Sequence, residues 1–278
     1  MTDLGQLFIV ATPIGNLNDI TYRAIEVLKS VDVIAAEDTR HSSKLLSHYG
    51  INTKTTAFHD HNEKDKAHLL INWLKAGNNI ALISDAGTPL ISDPGYAIVN
   101  LCRAQGIQVT PIPGACAAIA AVSCSGLPTD KFSFMGFIPV KQKARQDFFA
   151  QINHLTGTAI CYESPRRVVD SVTTIADILG EDTQVVLAKE ITKTFETFYS
   201  GSASELLAWL QADDVHQKGE MVLMIAPKSN DSSDIHAQAI ELLKSLKAEL
   251  PLKKAAAVVA SHYDLKKNEL YKLGLELS

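Results

Sequence analysis

What most limits the fold of this chain is a series of short, unbroken apolar runs, each closed by turn residues and each followed by helical periodicity. The first, Leu7-Phe8-Ile9-Val10-Ala11, ends in Thr12-Pro13-Ile14-Gly15-Asn16. A four-to-eight-residue apolar run between turn signals reads as a strand buried on both faces, the condition of central strands in a parallel sheet. Ile20, Ala24, Ile25, Val27 and Leu28 then recur at helical spacing, behind Asp19 or Thr21 as caps. Residues 31–36, 80–83 and 107–111 repeat the strand signal, and 42–48, 66–76, 96–105 and 115–124 the helical one, with Gly50, Gly77 and Gly106 as stops. The alternation predicts an α/β domain with a largely parallel sheet. Ligands of such sheets sit outside the carboxyl ends of the strands, so the loops after Val10, Ala36, Ile83 and Ile112 are where a site is expected.

Gly126-Leu127-Pro128-Thr129-Asp130 is rich in turn residues and places a first boundary there, giving domains at 1–126 and 127–228. The second repeats the mixed pattern, with strands expected near 132–137, 158–162, 184–188, 197–200 and 220–225 and helices near 142–154, 165–179 and 202–213. The polar stretch Lys228 to Asp234 reads as a linker to a third module, 235–278, of three short helices.

With 46% hydrophobic residues over 278 positions, the chain has ample material for a core. No basic segment followed by a long apolar run opens it, and no stretch approaches the roughly 18 apolar residues of a membrane span, so a cytoplasmic protein without a membrane partner is expected. Cys102, Cys116, Cys124 and Cys161 contain no C-x-x-C pair, which argues against zinc and disulfides. The formal charge of −5 excludes a protein that coats nucleic acid through bulk charge. Any RNA contact must be local, from Lys141, Lys143, Arg145, Arg166 and Arg167, or from the tail lysines Lys253, Lys254, Lys266, Lys267 and Lys272, all of which also suit solvated helix faces.

The usual chemical signatures are missing. The first loop holds only Gly15, so no G-x-G-x-x-G follows the first strand, and neither a P-loop nor a G-x-S-x-G elbow occurs. His59-Asp60-His61-Asn62-Glu63 has metal-ligand residue types but reads better as a polar loop, and no metal is expected. Three strand ends remain. Glu37-Asp38-Thr39-Arg40 follows an apolar strand and is either a structural ion pair or a site. Ser84 to Gly95 is a long loop rich in Gly, Pro and Asp, suited to bringing backbone amides near a ligand. Pro113-Gly114-Ala115-Cys116-Ala117-Ala118 suits a helix start lying against a ligand or against a sheet.

Taken with Val10 to Leu17, Tyr162-Glu163-Ser164-Pro165-Arg166-Arg167, Lys189 to Lys193, and Lys218-Gly219-Glu220-Met221-Val222, these segments occur in an order that closely resembles the tetrapyrrole-methylase family. Within it, the resemblance is to the branch that modifies ribosomal RNA. It runs from about residue 5 to 275, tail included, where Pro251 to Ala256 and Lys266 to Tyr271 are similar to that branch's helix-turn-helix module. Gly87-Thr88-Pro89 stands where many tetrapyrrole-modifying relatives carry G-D-P, which points away from a tetrapyrrole substrate.

The resemblance implies a two-domain α/β fold with a C-terminal helical module, a homodimer, and S-adenosylmethionine held between the domains without a glycine-rich loop. Carried over by position, the donor pocket comprises Pro13, Ser84, Asp85, Thr88, Leu90 and Ile91, then Cys116 and Ala117, and Tyr162 with Glu163 from the second domain. The implied reaction is methylation of a cytidine ribose 2′-hydroxyl in the decoding region of 16S rRNA, probed by Arg166, Arg167, Lys253, Lys254, Lys266 and Lys267. It calls for alignment and a proton acceptor. Glu190 is the expected base and Lys189 its electrostatic partner, with Glu37, Asp38 and Arg40 facing them. The alternatives are a small-molecule methylase and a ribosome-assembly factor without catalysis.

Overall fold

A computed structural model of the chain describes residues 4–60, 62–228, 232–263 and 265–276, the side chains of 232–238 and of 276 excepted. The apolar runs form a five-stranded sheet in the order β3-β2-β4-β1-β5, from β1 (Leu7–Val10), β2 (Val33–Ala36), β3 (Thr55–Ala57), β4 (Ile80–Ile83) and β5 (Val109–Ile112). Every pairing in it is parallel. Alternate residues explain why β2 and β4 are apolar throughout. Ala35 and Leu82 face α3 (Glu63–Lys75) and α4 (Tyr96–Ala104), while Ile34, Ala81 and Ile83 face α1 (Tyr22–Ser30) and α2 (Thr39–His48). β3 escaped the sequence reading because a three-residue edge strand with two threonines carries no apolar run. α2 begins at Thr39 rather than at Ser42, because the Asp38 carboxylate accepts from the Arg40 and His41 N–H groups and caps it.

The second sheet runs β6-β7-β10-β8-β9, from β6 (Phe132–Phe137), β7 (Thr158–Glu163), β8 (Gln184–Lys189), β9 (Thr197–Ser202) and β10 (Met221–Ile225). β6 and β7 are parallel and the other pairs antiparallel. One face buries Phe149, Val172 and Leu206 of α6 (Gln142–Ile152), α7 (Val168–Leu179) and α8 (Ala203–Ala212). The other face takes α5 (Ala117–Ser123), whose Ala118, Ala121 and Val122 pack on Ile160, Val186 and Met224. The small-residue run thus serves helix-to-sheet packing. It also joins the two sheets, which lie within one compact unit, Met1–Pro227.

Lys228–Ser278 is a separate unit built from α9 (Ser232–Glu249), α10 (Leu252–Tyr263) and α11 (Lys267–Glu276) around Leu243, Ala255, Val259 and Leu270. No helix among the described residues is long and apolar enough to cross a membrane. His61 lies outside the described residues, and no metal-binding group of three occurs among those described.

β7 ends on a fully buried carboxylate. Glu163 Oε1 accepts from the Ser164 N–H (2.6 Å) and from Arg167 Nε and Nη2 (3.0 and 2.7 Å), and Oε2 accepts from the Ser171 hydroxyl. Its side chain has 0% exposure and that of Arg167 24%. Removing one partner of a buried pair strands the other, so Glu163→Ala should lose about 3 kcal/mol of stability in urea denaturation; a loss below about 1 kcal/mol would mean the pair is not structurally important.

Candidate functional site

The strand ends anticipated from the sequence converge on two neighbouring cavities. The first, of about 340 Å³, is lined from the first sheet by Ile14, Ala86, Gly87, Thr88, Ile91, Ser92, Asp93, Cys116 and Ala117. The second sheet contributes Phe137, Tyr162, Glu163, Ser164, Pro165, Ile191, Glu220, Met221 and Val222. Apolar walls with a few polar groups, in this size range, are the usual make-up of a small-molecule site. The second cavity, of about 290 Å³, is lined by residues 12–15, Leu17, His41, Ser42, Lys44, Leu45, residues 84–86, Lys193 and Glu220. Ile14, Ala86 and Glu220 border both.

Backbone strain gathers in the two loops that form these walls. Leu90 (φ 73°), Ser92 (φ 69°), Glu190 (φ 53°) and Thr192 (φ 69°) are the non-glycine residues in the left-handed region among those described. Such conformations persist where surrounding contacts enforce them, commonly at ligand sites. The Ser84–Gly95 loop is tied to the first loop by a reciprocal pair, Thr12 N–H to the Gly87 carbonyl (2.8 Å) and Gly87 N–H to the Thr12 carbonyl (3.0 Å). Gly87 has φ 78°, and a Cβ there would stand 3.3 Å from Ile14 Cγ2.

Of the expected donor-pocket residues, Thr88, Ile91, Cys116, Ala117, Tyr162 and Glu163 meet at the first cavity. Pro13, Ser84 and Asp85 lie on the second. Leu90 borders neither and packs instead against the core of α3 and α4. Glu163 contributes to the wall while its carboxylate is spent on the Arg167 network. Tyr162 packs edge-on against Phe134 and Phe137, ring centres 4.9 and 5.4 Å away, and its hydroxyl accepts from the Ala118 N–H at 3.3 Å. Burial, with Cys116 nearby, pushes that hydroxyl up to about 12, so it stays protonated.

The expected catalytic residues line neither cavity. Lys189 is 4% exposed and donates to the Val215 carbonyl at 2.5 Å; burial lowers its pKa. Glu190 Oε1 accepts from the Glu220 N–H and from Lys193 Nζ, both at 2.9 Å, and these contacts hold its pKa down against the opposing effect of burial. Glu37 accepts from the Asp85 N–H (3.4 Å), while the Asp38 N–H donates to Asp85 (3.1 Å), so these acids brace one loop against the other. Arg40 is 92% exposed, 3.6 Å from Asp38. Among the cations expected to meet RNA, Arg167 is committed to Glu163, and Arg145 is buried beside Thr174 and Asp170. Arg166, Lys253, Lys254, Lys266 and Lys267 are exposed, Lys266 lying 3.3 Å from Glu269.

Two groups that the sequence reading passed over stand at the cavities. Asp93 lines the first, and burial, with Glu37, Asp85 and Asp60 nearby, pushes its carboxyl up to about 6 despite a bond from Ser84. Lys193 lines the second, its ammonium 2.9 Å from Glu190 and 3.0 Å from Glu220. Both fall in segments singled out above, but irregular loops have no period to show which side chain faces inward.

Comparison with known proteins decides the family. The profile of the Tetrapyrrole (Corrin/Porphyrin) Methylases matches residues 6–207. The chain belongs to the tetrapyrrole-methylase family. A second profile, the RsmI C-terminal HTH domain, matches residues 233–278. Ribosomal RNA small subunit methyltransferase I of Escherichia coli O157:H7 is 54% identical over 272 residues, 98% of this chain and 95% of that protein. The protein of the same name from Haemophilus influenzae is 55% identical over 278 residues, 99% of this chain and 98% of its own. Crystal structures of diphthine synthase (TM-score 0.62, 15% identity, 81% of this chain and 90% of that one) and of cobalt precorrin-4 methyltransferase (TM-score 0.58, 15% identity, 80% and 94%) share the fold.

As a tetrapyrrole methylase the chain is a methyltransferase whose donor is S-adenosylmethionine. The first cavity suits it. Ile14, Ile91, Phe137, Ile191 and Met221 offer an apolar slot for a flat purine, and Asp93 a carboxylate for a ligand of net positive charge. In the empty chain the Asp93 pKa is raised above its ordinary 3.8, so the folded state disfavours its charge and loses stability as pH rises from about 4 through 6. A cation in the cavity favours the ionised form. Donor affinity measured by calorimetry should therefore climb with a midpoint near pH 6, and Asp93→Asn should abolish that climb while raising the melting temperature of the empty chain at pH 8. A variant that keeps the wild-type pH profile would remove Asp93 from donor binding.

Proposed function

We propose that the chain methylates the 2′-hydroxyl of a cytidine ribose in the decoding region of 16S rRNA, with the assembled 30S subunit as substrate and two copies of the chain as the working form. The observation that carries the RNA reading is the second unit. Relatives named for small-subunit ribosomal RNA match 98–99% of this chain, helical tail included. Diphthine synthase and cobalt precorrin-4 methyltransferase match only 80–81% of it. Lys253, Lys254 and Lys267 project from α10 and α11 into solvent. Lysines so placed hold phosphates, which position an RNA without reading its sequence. Arg166 adds an exposed guanidinium beside the first cavity's Ser164-Pro165 wall.

Bound S-adenosylmethionine supplies a methyl on a sulfonium: the oxygen–carbon bond forms as the carbon–sulfur bond breaks, and the electron pair leaves with sulfur. The protein contributes alignment and exclusion of water. Tyr162 and Phe137 close one wall of the cavity, and the Tyr162 hydroxyl holds the start of α5 in place. Alignment of two reacting atoms is worth up to about 7–11 kcal/mol of barrier, more than the roughly 10²- to 10⁴-fold given by a proton acceptor.

Tritiated-methyl transfer to 30S subunits from a strain lacking the modification, followed by nuclease mapping, should label a single 2′-O-methylcytidine. Label in a porphyrinoid and none in RNA would replace this reading with the small-molecule one. A chain truncated after Pro227 should keep donor binding and lose most RNA methylation; undiminished methylation would take the tail out of substrate capture.

A further inference from the structure

The second cavity has features beyond Pro13, Ser84 and Asp85, the expected donor residues that lie on it. It shares Ile14, Ala86 and Glu220 with the donor cavity, so whatever occupies it lies one side chain away from the methyl donor. Its wall carries basic side chains, which the first cavity's lacks, together with the carboxylates of Asp85 and Glu220. Lys44 and His41 stand exposed on α2, with no carboxylate partner among the described residues, and Lys193 reaches in from the second sheet. Ser42, on the same wall, is 3% exposed, and its hydroxyl has no hydrogen-bond partner among the described residues. A buried hydroxyl without a partner disfavours the empty chain, and a polar ligand relieves it.

Lys193 is held in place from three sides. Gly15 (φ 152°) leaves room for it, since a Cβ there would stand 2.6 Å from Lys193 Cγ. Its ammonium lies between Glu190 and Glu220, which keep it protonated although burial opposes the charge. Gly219 (φ 94°) in turn leaves room for Glu190, whose Cγ would be 2.4 Å from a Cβ at that position. The result is a fixed Glu190–Lys193–Glu220 chain in which Glu190 is the structural end. Glu220, 77% exposed, is the free end on the wall between the cavities.

We propose that the second cavity seats the acceptor nucleotide of the RNA, with Lys44 and His41 on its flanking phosphate and Glu220 on the shared wall taking the ribose 2′-hydroxyl proton. The proton passes from the hydroxyl to a Glu220 carboxylate oxygen. The electron pair it leaves on the ribose oxygen forms the new bond to the methyl carbon as the methyl's bond to sulfur breaks, its electron pair remaining on the sulfur. Lys193 is a positioning residue: it aims the Glu220 carboxylate and places a positive charge where the oxygen becomes electron-rich. This assignment rests on the RNA reading above and deepens it. It moves the proton acceptor from Glu190 to a carboxylate that borders both cavities.

The test uses the full chain, 30S subunits lacking the modification, and three variants. Lys44→Ala should weaken binding of 30S subunits roughly tenfold without donor present, lower the salt slope of that binding by about one, and leave donor affinity unchanged. Glu220→Gln should keep both affinities and cut single-turnover methylation about 10²- to 10⁴-fold. Ser42→Ala should keep or raise the melting temperature, because it removes an unpartnered group, and weaken subunit binding. Unchanged subunit binding by Lys44→Ala, or a Glu220→Gln rate within threefold of wild type, overturns the assignment. A wild-type chain that binds donor and methylates no RNA overturns the RNA reading itself, a result separable from failure of the variants alone.

Discussion

Both cavities exist because a helix that follows the first sheet buries its apolar face on the second. Ala118, Ala121 and Val122 of α5 are 0–5% exposed against Ile160, Val186 and Met224. Alanine is what permits this. A larger residue at Ala118 or Ala121 would hold the helix away from the sheet, and an overpacked contact of this kind costs about 1–3 kcal/mol. Close approach also brings the Ala118 N–H to the Tyr162 hydroxyl, which satisfies one of the amides left open at a helix start. The carboxyl ends of β1, β4 and β5 are thereby set against the ends of β7 and β10. The ends of a parallel sheet are ordinarily open to solvent; here they become one wall of a slot.

The slot is maintained against strain. Four non-glycine residues in the left-handed region, each costing on the order of 1 kcal/mol, lie in the Ser84–Gly95 and Lys189–Lys193 loops. Fixed contacts enforce them: the Thr12–Gly87 backbone pair, the packing of Leu90 over Gly95, and the Glu190 carboxylate that ties the Glu220 amide to Lys193. Glu163 does the same for the Ser164–Arg167 turn. Carboxylates used in this way are hydrogen-bond acceptors that shape the backbone. That explains why so many acids sit near the site without facing it.

The same distinction marks how far the sequence could be read. Both-faced burial leaves a signal that cannot be mistaken, so β2 and β4 stood out as unbroken apolar runs, and the helices followed from their caps and spacing. β3 left none, since Thr55 and Thr56 at a sheet edge look like loop. The motifs of the site were legible as segments, yet which residue in each segment faces the cavity was not. Lys189 and Lys193, or Glu190 and Glu220, are equivalent in composition; Lys189 ends β8 and reaches Val215, while the positive-φ turn that follows carries Lys193 to the cavity. Arg167 shows the converse. It reads as a free cation beside Arg166, but the tight turn between β7 and α7 places it on the buried Glu163.

Charge is divided between the cavities in a way that the net value of −5 conceals. Asp93, with Glu37 and Asp60 nearby, makes the donor side a place where positive charge is favoured. Lys44, His41 and Lys193 give the other side basic groups that the first cavity lacks, beside its own carboxylates Asp85 and Glu220. At physiological salt, exposed charges more than about 8 Å apart are largely screened from one another. An overall negative chain can therefore present a locally positive patch to an RNA while the acids act mainly on the ligand beside them. Glu220 stands where the two fields meet, paired with Lys193 at 3.0 Å. A cationic donor on one side and a polyanion on the other would compete for these same groups if they shared one cavity; a partition one side chain thick lets each be held by its own counter-charge while the reacting atoms still meet.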